Sequence, residues 1–175
     1  QHGCPFALLQ NRYSPAKLRR YQDMIDFYIA DQIQALYQEI FRNQGNIQEA
    51  DPELFKVLNM LNTKYIIVPV GENQTIPLQN PHRYGNAWFV EEVMIVDNPD
   101  KEILSIKQAD LKKTAIVDKR YEQYVKGKTF TVDSTATIEN VLCKPNKLLY
   151  KVNSSKEQLV VFSEVFYDKG GWTAY

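Results

Sequence analysis

The run of residues that organises this chain reads DPELFKVLNMLNTKYIIVPV and extends from Asp51 to Val70. Asp51 is a typical N-cap residue, and the proline after it suits the first position of a helix. Apolar residues then recur at helical spacing and predict one buried face: Leu54, Val57, Leu58 and Leu61. Asn62 can end this helix. The unbroken apolar run from Tyr65 to Val68 predicts a strand covered on both faces, as at the centre of an α/β layer.

A long amphipathic helix is predicted before this run. Ser14 and Pro15 form another N-cap and first-turn pair. The apolar residues that follow lie three and four positions apart: Leu18, Tyr21, Ile25, Ile29, Ile33, Leu36 and Ile40. We therefore expect a helix from Pro15 to about Phe41 that packs across the whole domain. The segment from Asn43 to Asn46, which contains Gly45, should end it.

The middle of the chain predicts shorter elements. Residues 71–86 hold several Gly, Pro, Asn and Gln residues and are interpreted as a loop. Strands are expected at residues 87–90, 93–96 and 114–117. Asn98 and Pro99 together indicate the start of a helix that carries residues 102–108.

The last third is rich in β-branched and aromatic residues. Strands are predicted at residues 130–132, 136–143, 147–152 and 158–167, separated by turn residues. This pattern is typical of an antiparallel meander in a small β-sandwich. The fold class expected is therefore α+β, with a helix-rich α/β part at residues 1–118 packed with an antiparallel part at residues 119–175, unless the two form one continuous domain. A further strand begins at Trp172 and stops at Tyr175, so we expect the last sheet to be truncated.

Composition limits the classes of function. The chain has 175 residues, and its 21 basic residues balance 21 acidic ones. This balance argues against a nucleic-acid partner, which usually requires a basic excess. Two cysteines, Cys4 and Cys143, form no framework, and a disulfide between them stays open. No cofactor motif, metal-binding pattern, signal peptide or run of about 20 apolar residues is visible.

Four segments resemble, in the same order, the YfhO-like family of bacterial membrane proteins. They read YSPAKLRRYQDMID from Tyr13, LNMLNTKYII from Leu58, GNAWFV from Gly85 and VVFSEVFYDKGGWTAY from Val160. Together they span nearly the whole chain. The resemblance implies a polytopic protein similar to multispanning glycosyltransferases that use lipid-linked sugars. It also implies that this chain is a C-terminal, extracytoplasmic domain, and that the catalytic carboxylates lie in an early loop that these residues do not include.

The densest charge cluster lies at the start of the long helix. A phosphate or sugar phosphate could be bound by Lys17, Arg19 and Arg20, because the N–H groups of an arginine guanidinium fit the oxygens of a phosphate. The alternative is a solvated helix face with an Arg19–Asp23 pair at i, i+4, on which Asp23 and Asp26 neutralise Arg19.

Aromatic residues offer a second set of candidates. Trp88 and Trp172 could stack on sugar rings, although buried core positions are commoner for tryptophan. His82 lies in a polar loop, where a surface histidine without a role is the commoner case. Glu91 and Glu92 are neighbours in the sequence, but adjacency alone does not make them a catalytic pair, because neighbouring residues of a strand point to opposite faces. No catalytic residue is assigned.

The function expected is that of a noncatalytic extracytoplasmic domain that assists glycan or lipid-linked-sugar handling. Its partners would be the membrane portion of the parent protein and a glycan or lipid-linked sugar. Two alternatives remain: a structural or protein-interaction module that binds no ligand, and a free-standing enzyme. Many apolar spans upstream in the parent gene would remove the second alternative.

Overall fold

The computed structural model describes residues 19–164 and Thr173, and these residues adopt the expected α+β fold. The long amphipathic helix, α1, covers residues 19–42. It consists of an α-helical part, Arg19–Met24, a π-helical turn, Ile25–Ile29, and a second α-helical part, Ala30–Arg42. Its predicted start at Pro15 lies outside the described residues.

The end of α1 is formed as predicted. The amide of Gly45 donates to the carbonyl oxygen of Ile40 at 2.8 Å, and Gly45 has a φ of +90°. A glycine reaches this left-handed conformation without the strain that a Cβ would cause. The helix therefore stops within one turn of Arg42.

The next helix begins and ends at the predicted residues, but its buried face differs. The Asp51 carboxylate accepts from the Glu53 amide at 3.0 Å, and Asn62 closes the helix with a φ of +55°. Between them lie a 3₁₀ turn, Pro52–Phe55, and helix α2, Lys56–Met60.

The 3₁₀ turn changes which residues of this segment are buried. Val57 and Leu58 are buried as predicted, whereas Leu54 is 36% exposed and Phe55 is fully buried in its place. A 3₁₀ turn has three residues per turn instead of 3.6, so the face of the first turn is rotated relative to the helix that follows. The prediction for Leu54 is therefore wrong.

The strand after α2 is not covered on both faces. Strand β1, Tyr65–Pro69, buries Ile66 and Val68 but exposes Tyr65. It pairs antiparallel with β2, Thr75–Gln79, in a two-stranded sheet. One face of the strand packs on the core and the other faces solvent, which corrects the predicted α/β centre.

Strand β2 lies inside the segment predicted to be a loop. Pro77 interrupts the strand pattern in the sequence because proline lacks a backbone donor. The strand tolerates it, since β2 is paired on one side only. The loop prediction for residues 71–86 is therefore wrong over Thr75–Gln79.

The middle of the chain forms a strand–helix–strand unit. Strand β3, Ala87–Val90, is followed by β4, Glu92–Val96, helix α3, Pro99–Ser105, and β5, Thr114–Asp118. All four elements were predicted. Asn98 caps α3 by accepting from the amide of Lys101 at 2.9 Å. Helix α3 carries the chain over so that β5 pairs parallel to β4.

The last strands do not form the predicted meander. Strands β6, Thr137–Lys144, and β7, Lys147–Asn153, form an antiparallel hairpin, but β8, Leu159–Phe162, pairs with β3. Residues 130–132 are irregular instead of forming a strand. A small β-sandwich is not confirmed. The β3–β8 pairing joins chain segments on either side of residue 118, and the strand predicted at Trp172 lies outside the described residues.

The core lies between helix α1, helix α2 and sheet β1–β2. Its buried members include Leu36, Ile40, Phe55, Val57, Ile66 and Val68. Two polar contacts fix these elements to one another. The Tyr37 hydroxyl donates to the carbonyl of Ile67 at 2.8 Å, and the Val57 amide donates to the Gln32 side chain at 3.0 Å. Helix α1 therefore supports both the second helix and the first sheet.

Candidate functional site

A cavity of about 330 Å³ opens among α1, α3, β3 and β5. Most of the side chains that line it are apolar: Met24, Met60, Trp88, Ile103, Leu111 and Ile116. Apolar walls of this size, with a few polar groups at the entrance, are typical of small-molecule sites. The cavity is therefore the best candidate for a binding site in the part of the chain that the structure describes.

Trp88 forms part of the cavity wall. Its side chain is buried, with 8% exposure, and its Nε1–H donates to the carbonyl oxygen of Leu111 at 3.2 Å. Its ring packs edge-on against Tyr84, with 5.3 Å between the ring centroids. Since the indole N–H is already used, Trp88 offers the cavity only its apolar ring surface.

Charged side chains lie at the mouth of the cavity. Arg20 Nη2 is 3.6 Å from Glu102 Oε2, and Asp23 and Asp100 also line the opening. Burial raises the pKa of Glu102 above its usual value, and the guanidinium of Arg20 opposes that rise. Among the described residues that line the cavity, the cation Arg20 is thus already paired with the half-buried carboxylate of Glu102.

A second ion pair lies close to this mouth. Asp118, at the end of β5, is buried and accepts two hydrogen bonds of 3.0 Å from the guanidinium of Arg120. These contacts lower the pKa of Asp118 below its usual value. Arg120 is therefore committed to Asp118 and is a poor candidate for holding an anionic ligand.

Polar contacts hold the walls of the cavity in place. The Tyr28 hydroxyl donates to the carbonyl of Ile103 at 2.6 Å and so ties the π-helical turn of α1 to α3. Lys56 Nζ donates to the carbonyls of Lys107 and Ala109 at 3.1 and 3.0 Å, and so ties α2 to the segment after α3. The cavity is thus bounded by elements that are fixed to one another.

The structure brings together two of the predicted binding residues. Arg20 and Trp88 line the same cavity, although they are far apart in sequence. Arg19 is exposed and is not among the lining residues. Lys17 and Trp172 lie outside the described residues.

The ion pair predicted between Arg19 and Asp23 is not observed among the described residues, and Arg20 is paired instead. No ion pair between Arg19 and Asp23 occurs within residues 19–164, where the partner of Arg20 is Glu102. Asp26 accepts a hydrogen bond from Gln22 at 2.7 Å. Arg20 is therefore neutralised by α3 rather than by its own helix.

Sequence reasoning missed Glu102 and Asp100 as parts of the site. A signal for Glu102 was present, because it lies four residues before Ile106, which is buried. A charged residue one turn before an apolar residue on a predicted helix shares its face and lies at the edge of the core. The pairing with Arg20 could not be predicted, since it depends on how α1 and α3 pack.

The other described candidate residues make contacts within the fold and do not line the cavity. His82 is half-buried and packs edge-on against Phe55, with ring centroids 5.8 Å apart. Glu92 accepts a hydrogen bond from the hydroxyl of Thr114 at 2.8 Å. Cys143 in β6 is disulfide-bonded, and Cys4 lies outside the described residues.

Within residues 19–164 and Thr173, no group of three or more His, Cys, Asp or Glu side chains is placed to hold a metal ion. No helix in the same part of the chain has the length and apolar character needed to span a membrane.

Comparison with known proteins gives no relative for this chain. No protein-family model, no curated protein and no solved structure matches it.

Proposed function

We propose that this chain is a noncatalytic, extracytoplasmic domain of a polytopic membrane protein, and that its cavity binds an amphipathic ligand of the glycan or lipid-linked-sugar type. The observation that carries the proposal is the convergence of Arg20 and Trp88 on one apolar cavity of about 330 Å³. The membrane parent and the extracytoplasmic location rest on the resemblance of the four sequence segments to the YfhO-like family.

The chemistry of the cavity favours a ligand with two different ends. The walls bury apolar surface, which favours an alkyl or isoprenoid chain or the C–H face of a sugar ring. The mouth carries polar side chains on α1 and α3 that can hydrogen-bond a head group. A purely polar ligand would leave the walls without favourable contacts.

Titration with octyl β-glucoside, kept below its micelle concentration, tests this proposal. Isothermal titration calorimetry on the wild type should show saturable binding. Ala115 lines the cavity, so Ala115→Leu should fill part of it and weaken binding. Ala30→Leu is the matched control, because Ala30 is exposed on α1 and does not line the cavity.

Two results would contradict binding in the cavity. One is the absence of saturable binding to the wild type, which would favour a structural or protein-interaction module. The other is equal binding by the wild type and a folded Ala115→Leu variant, which would place the ligand elsewhere. Circular dichroism spectra of both variants establish whether they are folded.

A further inference from the structure

We infer that the mouth of this cavity selects an uncharged, hydroxyl-bearing head group and rejects a phosphate. This inference rests on the proposed function, since it specifies which end of the amphipathic ligand the mouth takes. It reverses the phosphate clamp that the basic residues near Arg20 suggest when the sequence is considered alone.

The first step concerns the balance of charge. Among the described residues that line the cavity, Arg20 is the cation, and three carboxylates accompany it: Asp23, Asp100 and Glu102. Asp118 and Arg120 nearby are paired with each other and do not change this balance. A phosphate at the mouth would therefore meet more negative than positive charge.

The second step concerns the availability of Arg20. Its guanidinium lies 3.6 Å from Glu102, whose side chain is only 30% exposed. A phosphate that took Arg20 for itself would leave the Glu102 carboxylate half-buried and uncompensated, next to a second anion. The pair itself is weak, because the Arg20 side chain is 64% exposed, so the unfavourable contribution comes from the repulsion between the phosphate and the Glu102 carboxylate.

The third step concerns hydrogen bonding to hydroxyl groups. An ionised carboxylate only accepts hydrogen bonds, a guanidinium only donates them, and a sugar hydroxyl does both. Asp23 and Asp100 form no ion pair with any other described residue, so their oxygens are available as acceptors. The exposed part of Arg20 can donate to a hydroxyl oxygen without leaving Glu102. A neutral polyol can therefore hydrogen-bond to the side chains of the mouth while the Arg20–Glu102 pair stays intact.

An ammonium head group is less suitable than a hydroxylated one. It would have to approach Arg20, whose side chain is 64% exposed at the same opening. The three carboxylates that line the cavity attract a cation, but Asp100 is exposed, so salt and water weaken its share of that attraction. An uncharged, hydroxylated head group is not repelled by Arg20, and salt does not weaken its hydrogen bonds in the same way.

Three octyl amphiphiles test the inference by calorimetric titration below their micelle concentrations: octyl β-glucoside, octyl phosphate and octyltrimethylammonium. The glucoside should bind the wild type at least ~10-fold more tightly than the phosphate, since like charges at a binding surface suppress the wrong partner. Glu102→Gln should strengthen phosphate binding at least ~10-fold, because it removes the anion beside Arg20.

Glu39→Gln is the matched control. Glu39 also forms an ion pair with an arginine, Arg42, at 2.6 Å, but it lies near the far end of α1 and does not line the cavity. Its replacement should leave all three affinities unchanged.

The outcomes separate the two proposals. If none of the amphiphiles binds, the proposed function fails and the inference fails with it. If the glucoside binds but the phosphate binds equally well, or if Glu102→Gln does not change phosphate binding, only the choice of head group is wrong. Tighter binding of the ammonium than of the glucoside would also overturn that choice and indicate recognition by charge alone.

Discussion

At the scale of single residues, two leucines in the same segment show how local geometry assigns roles. Leu54 and Leu58 are four positions apart and would share one face of a regular α-helix. Leu58 is 5% exposed and belongs to the core, whereas Leu54 is 36% exposed because the first turn is a 3₁₀ turn. A leucine therefore contributes more to the free energy of unfolding at position 58 than at position 54.

Leu58→Ala should lower the free energy of unfolding by roughly 2–5 kcal/mol, since it removes buried methyl groups and leaves a cavity. Leu54→Ala should cost much less, because its side chain already contacts solvent. Urea denaturation of both variants and the wild type measures the difference. Equal losses in the two variants would show that the 3₁₀ turn does not set the buried face.

At the scale of elements, helix α3 connects the stability of the fold to the candidate site. It places Glu102 and Ile103 at the cavity, and the carbonyl of Ile103 accepts from Tyr28 on α1. Its start is held by the Asn98 side chain, which accepts from the amide of Lys101. The N-cap therefore supports the mouth of the cavity without touching it.

Asn98→Ala should destabilise the protein by about 0.5–2 kcal/mol through loss of this cap, and should weaken glucoside binding. Asn73→Ala is a suitable control, because Asn73 is exposed in the turn between β1 and β2 and away from the cavity. Thermal melting and calorimetric titration of the two variants provide the comparison. An unchanged melting temperature in Asn98→Ala would show that α3 does not depend on its cap.

At the scale of the whole molecule, the β3–β8 pairing determines how the two predicted parts relate. Ala87–Val90 pairs in antiparallel register with Leu159–Phe162, and Val161 of β8 also lines the cavity. The helix-rich part and the strand-rich part therefore share a sheet and a candidate site. From this arrangement we propose a single continuous domain in place of two separate ones.

A polypeptide of residues 1–118 should consequently fail to unfold cooperatively by itself, because β3 loses its partner strand and the cavity loses part of its wall. Thermal denaturation followed by circular dichroism measures this, with the full chain as the reference. Addition of residues 119–175 in trans should restore part of the structure. A cooperative transition in residues 1–118 at the temperature of the full chain would instead support two independent domains.

Local sequence predicted the features that depend on nearest neighbours. The caps at Asp51 and Asn98, the stop at Gly45 and the amphipathic pattern of α1 were all read from residues within a turn or two of each other. Such signals are reliable because hydrogen bonds at helix ends and the burial of one helical face are satisfied locally. The α+β class followed from them, together with the β-rich composition of the last third.

Long-range packing set the remaining features. The pairing of β8 with β3 rather than β7, the exposure of one face of β1, and the meeting of Arg20 with Glu102 all join residues that are distant in the chain. Any of several strands could satisfy the hydrogen bonds of β8, so its own residues do not identify its partner. The charge at the cavity mouth likewise depends on how α1 packs against α3, because that packing places Arg20 beside Glu102.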